Sequence, residues 1–208
     1  MKEQIIKEFL AFIDELNKPQ IRIIKSDIKY GDFSASDNLE LNLPETIKDF
    51  YSRIEIMKCK WQLSDENNPI NYLDKEIDLV FGEMNVVAIS FLNEIYNQKS
   101  IQDYLDPNKI LNTNDKDNLH TYIPFDYLDG ELAVCYKMKT DGIDSDQLFL
   151  IDFSETGTIT PIAIGIYEYL SLGIKNYFFY GWQKAVFQND FKKREVIDFY
   201  CNQLFRKT

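Results

Sequence analysis

Histidine is almost absent: His120 stands alone among 208 residues. Zinc sites built on several histidines, and the paired-histidine helix of metalloproteases, are thereby excluded. A nucleophile activated by His120 would need Cys135 or a serine at its side, and no Gly-x-Ser-x-Gly elbow exists to present one. His120 is read as an exposed or capping side chain. Cysteine is also scarce and odd in number: Cys59, Cys135 and Cys201 lie far apart inside apolar patterns. That argues against a disulfide framework and for a reducing compartment, the cytoplasm. Glycines are few, and Gly165, Gly173 and Gly181 are spaced too widely to cradle a phosphate; no Gly-Lys-Ser/Thr is present. Long hydrophobic runs are missing too. No stretch reaches the roughly 18 uncharged apolar residues of a spanning helix, and Glu8, Asp14 and Glu15 interrupt the amino-terminal apolar pattern, unlike an export signal. Finally, bases are outnumbered, 23 against 34 acids, for a net charge of -11. Such a field opposes phosphate backbones and anionic lipid, so neither nucleic acid nor membrane is an expected partner.

What is present suffices for one globular domain spanning 1–208: 45% of residues are hydrophobic and 14% aromatic. Ile5, Ile6, Phe9, Leu10, Phe12, Ile13 and Leu16 recur at spacings that gather on one helical face over residues 1–16, and Asn17-Lys18-Pro19 stops that helix. Residues 21–25 read as a short strand and Tyr30 to Asn38 as a polar loop. Pro44 suits a first helical turn, with Ile47, Phe50, Tyr51 and Ile54 forming the apolar stripe behind it. Met57, Cys59, Trp61 and Leu63 alternate with Lys58, Lys60 and Gln62, the clearest strand of the chain. A strand near 84–89 runs toward a short helix, and 103–118 reads as an exposed connection. Three antiparallel strands then follow, Tyr122–Tyr127, Leu132–Met138 and Gln147–Phe153, joined at Asp129-Gly130 and through a polar turn at 140–146. Gly157 ends this meander, and helical recurrence returns over 162–172 and 196–204.

Candidate chemistry is thin. Asp141-Gly142-Ile143-Asp144-Ser145-Asp146 has the look of a calcium loop but lacks its glycine position and closing glutamate, so it is read as a solvated turn without metal. Asp65-Glu66 is an ordinary acidic pair in an acidic chain. The aromatic run Phe178-Phe179-Tyr180-Gly181-Trp182 has no basic interleaving and is read as core, as is Trp61. No cofactor is expected. Charge, by contrast, is informative: residues 101–160 hold twelve acids against four lysines, whereas residues 175–208 hold three acids against seven bases. Asp126, Asp129, Glu131, Asp141, Asp144 and Asp146 flank the expected turns, and as exposed side chains they would form one negative surface. A catalytically empty, negative domain reads as a binding module rather than an enzyme.

The order of short motifs adds a family. Leu43-Pro44-Glu45-Thr46-Ile47-Lys48-Asp49-Phe50-Tyr51, then Trp61, Gly82-Glu83-Met84-Asn85-Val86-Val87, Ile123-Pro124-Phe125-Asp126 with Asp129-Gly130, Leu148 to Asp152, and Ile166-Tyr167-Glu168-Tyr169-Leu170 follow one another along the chain. This series resembles the SUKH superfamily, the Smi/Knr-like group, over roughly residues 40–185, with helical extensions on both sides. The resemblance implies a single α+β domain with a central, mainly antiparallel sheet flanked by helices and no catalytic residues. It also implies a function: bacterial members are mostly immunity proteins that bind and neutralise a cognate polymorphic toxin, often a nuclease. Members elsewhere act as regulators or scaffolds for endogenous proteins, which is the alternative reading. For a nuclease inhibitor the acidity has a physical use, since carboxylates can occupy a basic, phosphate-binding cleft and steer association. The six acids named above are the expected contact with the toxin domain.

Overall fold

A computed structural model describes residues 2–30, 42–63, 80–88, 121–128, 132–139, 142–153 and 158–205. The fold is α+β. Its described strands are β1 (Ile21–Tyr30), β2 (Ile54–Leu63), β3 (Phe81–Val86), β4 (Tyr122–Leu128), β5 (Leu132–Lys139), β6 (Gly142–Asp152) and β7 (Thr158–Ile162). They hydrogen-bond in chain order, and every described register from β3 onward is antiparallel. The described helices are α1 (Lys2–Glu15), α2 (Glu45–Tyr51), α3 (Ile166–Lys175), α4 (Trp182–Phe187) and α5 (Phe191–Leu204). Packing divides the chain into two compact units, one of Met1–Asp27, Lys58–Met84 and Tyr167–Thr208, the other of Ile28–Met57 and Asn85–Ile166.

In the first unit, α1 buries Ile5, Phe9 and Phe12, with Leu16 just beyond it, a narrower stripe than the helical spacing predicts, since Leu10 is exposed and Ile6 and Ile13 are half-buried. β2, which belongs to this unit from Lys58 onward, obeys its period of two, with Cys59, Trp61 and Leu63 buried, as Met57 is before them, and Lys58 and Lys60 half-buried. Asp190 caps α5 by accepting from the Lys193 N–H at 3.0 Å. The aromatic run is core, as expected: Phe178 and Trp182 are fully buried and Phe179 nearly so. Its backbone was not foreseeable. Tyr177 and Phe178 both take left-handed conformations, with φ of 52° and 48°, which side chains with a Cβ adopt at a cost. Neighbouring bonds hold them there. Glu83 N–H donates to Phe178 O at 2.8 Å, Tyr180 N–H to Phe81 O at 2.9 Å, and the Trp61 indole N–H to Tyr177 O at 2.8 Å. Gly82 allows this close approach, because a Cβ there would overlap the Trp61 indole and lie 2.7 Å from Tyr177 O.

The second unit contains α2 and the meander β4 to β7. Ile47, Phe50 and Tyr51 of α2 are buried, and the Phe50 ring meets the Phe125 ring edge-on at 5.9 Å. Two expectations change here. The polar turn expected at 140–146 is strand from Gly142 onward, because Ile143 and Gly142 pair with Met138 and Lys139 of β5 beyond a bulge at Tyr136/Met138. The meander also does not end at Gly157. Thr158–Ile162 adds β7 along β6, with Pro161 tolerated at the end of the sheet, where its missing N–H breaks no further ladder. Elsewhere β1 runs on to Tyr30, where a loop was expected, and α4 is a helix that the aromatic run concealed.

Candidate functional site

The second unit holds an open cavity of about 530 Å³. Its wall is made where residues 42–48 meet the first turn of β6. The Ile143 N–H donates to Asn42 O at 2.9 Å, and Asn42 bridges Gly142 in parallel. Gly142 is required at that contact, since a Cβ on it would overlap Asn42 O. Thr46, one residue into α2, donates its hydroxyl to Asp146 Oδ2 at 3.1 Å, which fixes the carboxylate. Glu45 is widely exposed and bonds Lys48 at 2.9 Å, a surface pair of small energetic weight. Leu43 and Ile143 are buried, and Asn42, Ser145, Glu45 and Asp146 add oxygen acceptors to the lining, against the single ammonium of Lys48 that Glu45 pairs. A lining of apolar groups with carboxylate and amide acceptors suits a cationic side chain with an aliphatic stem.

Of the six acids expected to make the contact, the structure places Asp146 in this cavity wall and Asp144 two residues before it in β6. Asp129, Glu131 and Asp141 lie outside the described residues, as does His120. Asp126 is a correction. It was expected on an exposed turn, yet it is fully buried within β4, opposite Val86 of β3 and Val134 of β5. β4 is buried on both faces from Tyr122 to Asp126, with a register shift between Pro124 and Asp126, and the enclosed Oδ1 accepts from the Asn85 N–H at 2.7 Å. Asp126 is therefore part of the core of the second unit and offers nothing to a partner. Sequence reasoning in turn missed Asn42, Thr46 and Ser145, because no local pattern links residues 42–46 to 143–146.

All three cysteines are free; Cys59 and Cys135 are buried and Cys201 is half-buried. Burial, and next the charge of Glu83, pushes the Cys59 thiol up to about 12; burial, and next Asp198, does the same for Cys201. Burial and then Asp126 raise Cys135 as well. The sign follows directly: thiols that stay protonated in the fold but ionise in the unfolded chain near their ordinary value of 9.0 stabilise the fold below that pH. Stability should thus fall as pH rises from about 9 toward 12. Urea midpoints at pH 8 and pH 10.5 test this, together with slow iodoacetamide labelling of the native protein and fast labelling after unfolding. Equal midpoints with rapid native labelling would contradict it.

Among the described residues, no group of three or more His, Cys, Asp or Glu is arranged to hold a metal ion. No described helix is long and apolar enough to cross a membrane. Comparison with protein-family models, with curated proteins and with solved structures finds no match to the chain.

Proposed function

We propose that this chain is a non-catalytic immunity protein of the cytoplasm, which binds a cognate toxin domain through its acidic unit and acts without a cofactor. The observation that carries this reading is where the charge resides. The unit of Met1–Asp27, Lys58–Met84 and Tyr167–Thr208 contains fifteen acids and fifteen bases, whereas the unit of Ile28–Met57 and Asn85–Ile166 contains nineteen acids and eight bases. The whole net charge of -11 therefore belongs to one unit. A field concentrated in this way attracts a basic cleft over several ångströms and speeds its encounter. The cavity of Glu45, Thr46 and Asp146 gives such a partner's lysine or arginine a seat on that unit. The motif series resembling the SUKH group supports the same reading.

Affinity capture of the tagged chain from its native cells, at low and high salt, is the test. Recovery of the toxin module of a larger secreted protein, weaker at high salt, is the expected result. With that module in hand, Glu45→Lys combined with Asp146→Lys should slow association about tenfold or more while leaving the fold intact. Unchanged rates would remove the cavity from the interface. Capture of regulatory or housekeeping proteins alone would overturn the immunity reading in favour of a scaffold.

A further inference from the structure

Among the described residues, β1 is a ten-residue strand at one end of the sheet. An unpaired edge is a template for another strand, and proteins blunt it with proline, a bulge, a short length or charged side chains, of which β1 has Arg22, Lys25, Asp27 and Lys29. β1 contains no proline and, with β2, is exceeded in length among the described strands by β6 alone. It also leaves apolar surface open. Ile24 is 49% exposed and Tyr30 60% exposed, and with Arg22, Ser26 and Ile28 they occupy alternate positions along one face of the strand.

We infer that β1 pairs antiparallel with β1 of a second copy of this chain, about a two-fold axis through Ser26. Symmetry restricts the choice. A two-fold axis perpendicular to a regular sheet requires one residue to face its own copy, because alternate side chains must keep to their faces. Centring on Lys25 sets two ammonium groups opposite each other. Centring on Asp27 opposes two carboxylates and sets Lys25 against Lys29. Centring on Ile24 or Ile28 shortens the overlap. Centring on Ser26 aligns residues 22–30 with 30–22 and places each Lys25 opposite the other copy's Asp27. The same register sets Ile24 against Ile28, Arg22 against the ring of Tyr30, and Ile23 against the aliphatic stem of Lys29, twice each. Opposite charges at the centre of one face, aliphatic and cation–aromatic pairs on the other, are the combinations that stabilise cross-strand neighbours, and no like charges meet anywhere in this register. The sequence of β1 is thus complementary to itself in one register, which fits a copy of itself better than an arbitrary extended peptide.

Sedimentation velocity of the full chain over a concentration series tests the pairing. The wild type should pass from monomer mass to twice that mass as concentration rises. Lys25→Glu alone and Asp27→Lys alone should each abolish the dimer, by setting like charges opposite, while circular dichroism stays native. The double variant Lys25→Glu/Asp27→Lys should restore it. A wild type that remains monomeric throughout overturns the inference. So does a dimer that survives both single reversals, or one that the double reversal fails to restore. The acidic unit's binding to a partner is measured separately, so either result stands apart from the function proposed above.

Discussion

Trp61→Ala is expected to lose about 3–5 kcal/mol of folding stability, against a total of about 5–15 kcal/mol for a typical domain. Trp61 is fully buried on β2, its ring meets Phe179 edge-on at 4.9 Å and Phe205 at 6.0 Å, and its N–H serves Tyr177 O. Removing the indole opens a cavity and also releases the clamp on the left-handed backbone of Tyr177 and Phe178, so part of the loss is strain no longer held. Trp61→Phe separates the two contributions. It keeps most of the apolar volume but no donor, so its loss should be smaller by about half and come chiefly from the unpaired carbonyl, worth roughly 1–3 kcal/mol. Urea denaturation of both variants checks this. A midpoint for Trp61→Ala within error of wild type would show that the first unit is not organised around this residue.

Asp126 carries the second large effect, on stability rather than on binding. Asp126→Ala leaves the Asn85 N–H inside the second unit without its acceptor, which costs on the order of 1–3 kcal/mol and more because the lost acceptor is a carboxylate. Asp126→Asn retains an oxygen at the same place and should cost distinctly less. Burial first and Asp126 second raise the Tyr51 hydroxyl above its ordinary range, so either substitution should also let Tyr51 ionise at lower pH, readable by its ultraviolet absorbance. Reversal of exposed Glu45, in contrast, should leave the urea midpoint nearly unchanged. Equal midpoints for wild type and Asp126→Ala would refute the bracing role.

The contrast between Asp126 and Asp146 shows where sequence reading reaches its limit. Both are aspartates near a strand end in an acidic stretch, and local pattern gives them the same exposed role. One lies on β4, a strand buried on both faces, while the other remains at a cavity wall, held by a threonine from α2. Neither outcome has a local signal, because each depends on a partner distant in the chain. The strand after Gly157 was concealed for a related reason. Pro161 argues against a strand interior, and only the sheet's order makes it an acceptable end position. β1 was cut short because its last five residues are mostly polar, and an edge strand needs no apolar run to be recruited by its neighbour.

Periodicity by itself determined α1, α2, β2 and most of β4 to β6, together with the burial of Trp61 and of the aromatic run, since these depend on spacing between near neighbours. Composition and charge determined that acidity is concentrated in the middle of the chain. Tertiary structure alone decided which acids face solvent, that residues 42–46 and 143–146 form one cavity, and that Tyr177 and Phe178 adopt left-handed backbone. Those features arise from contacts between residues far apart in sequence, where the energy of a bulge, a buried carboxylate or a strained turn is balanced by partners that no local pattern specifies.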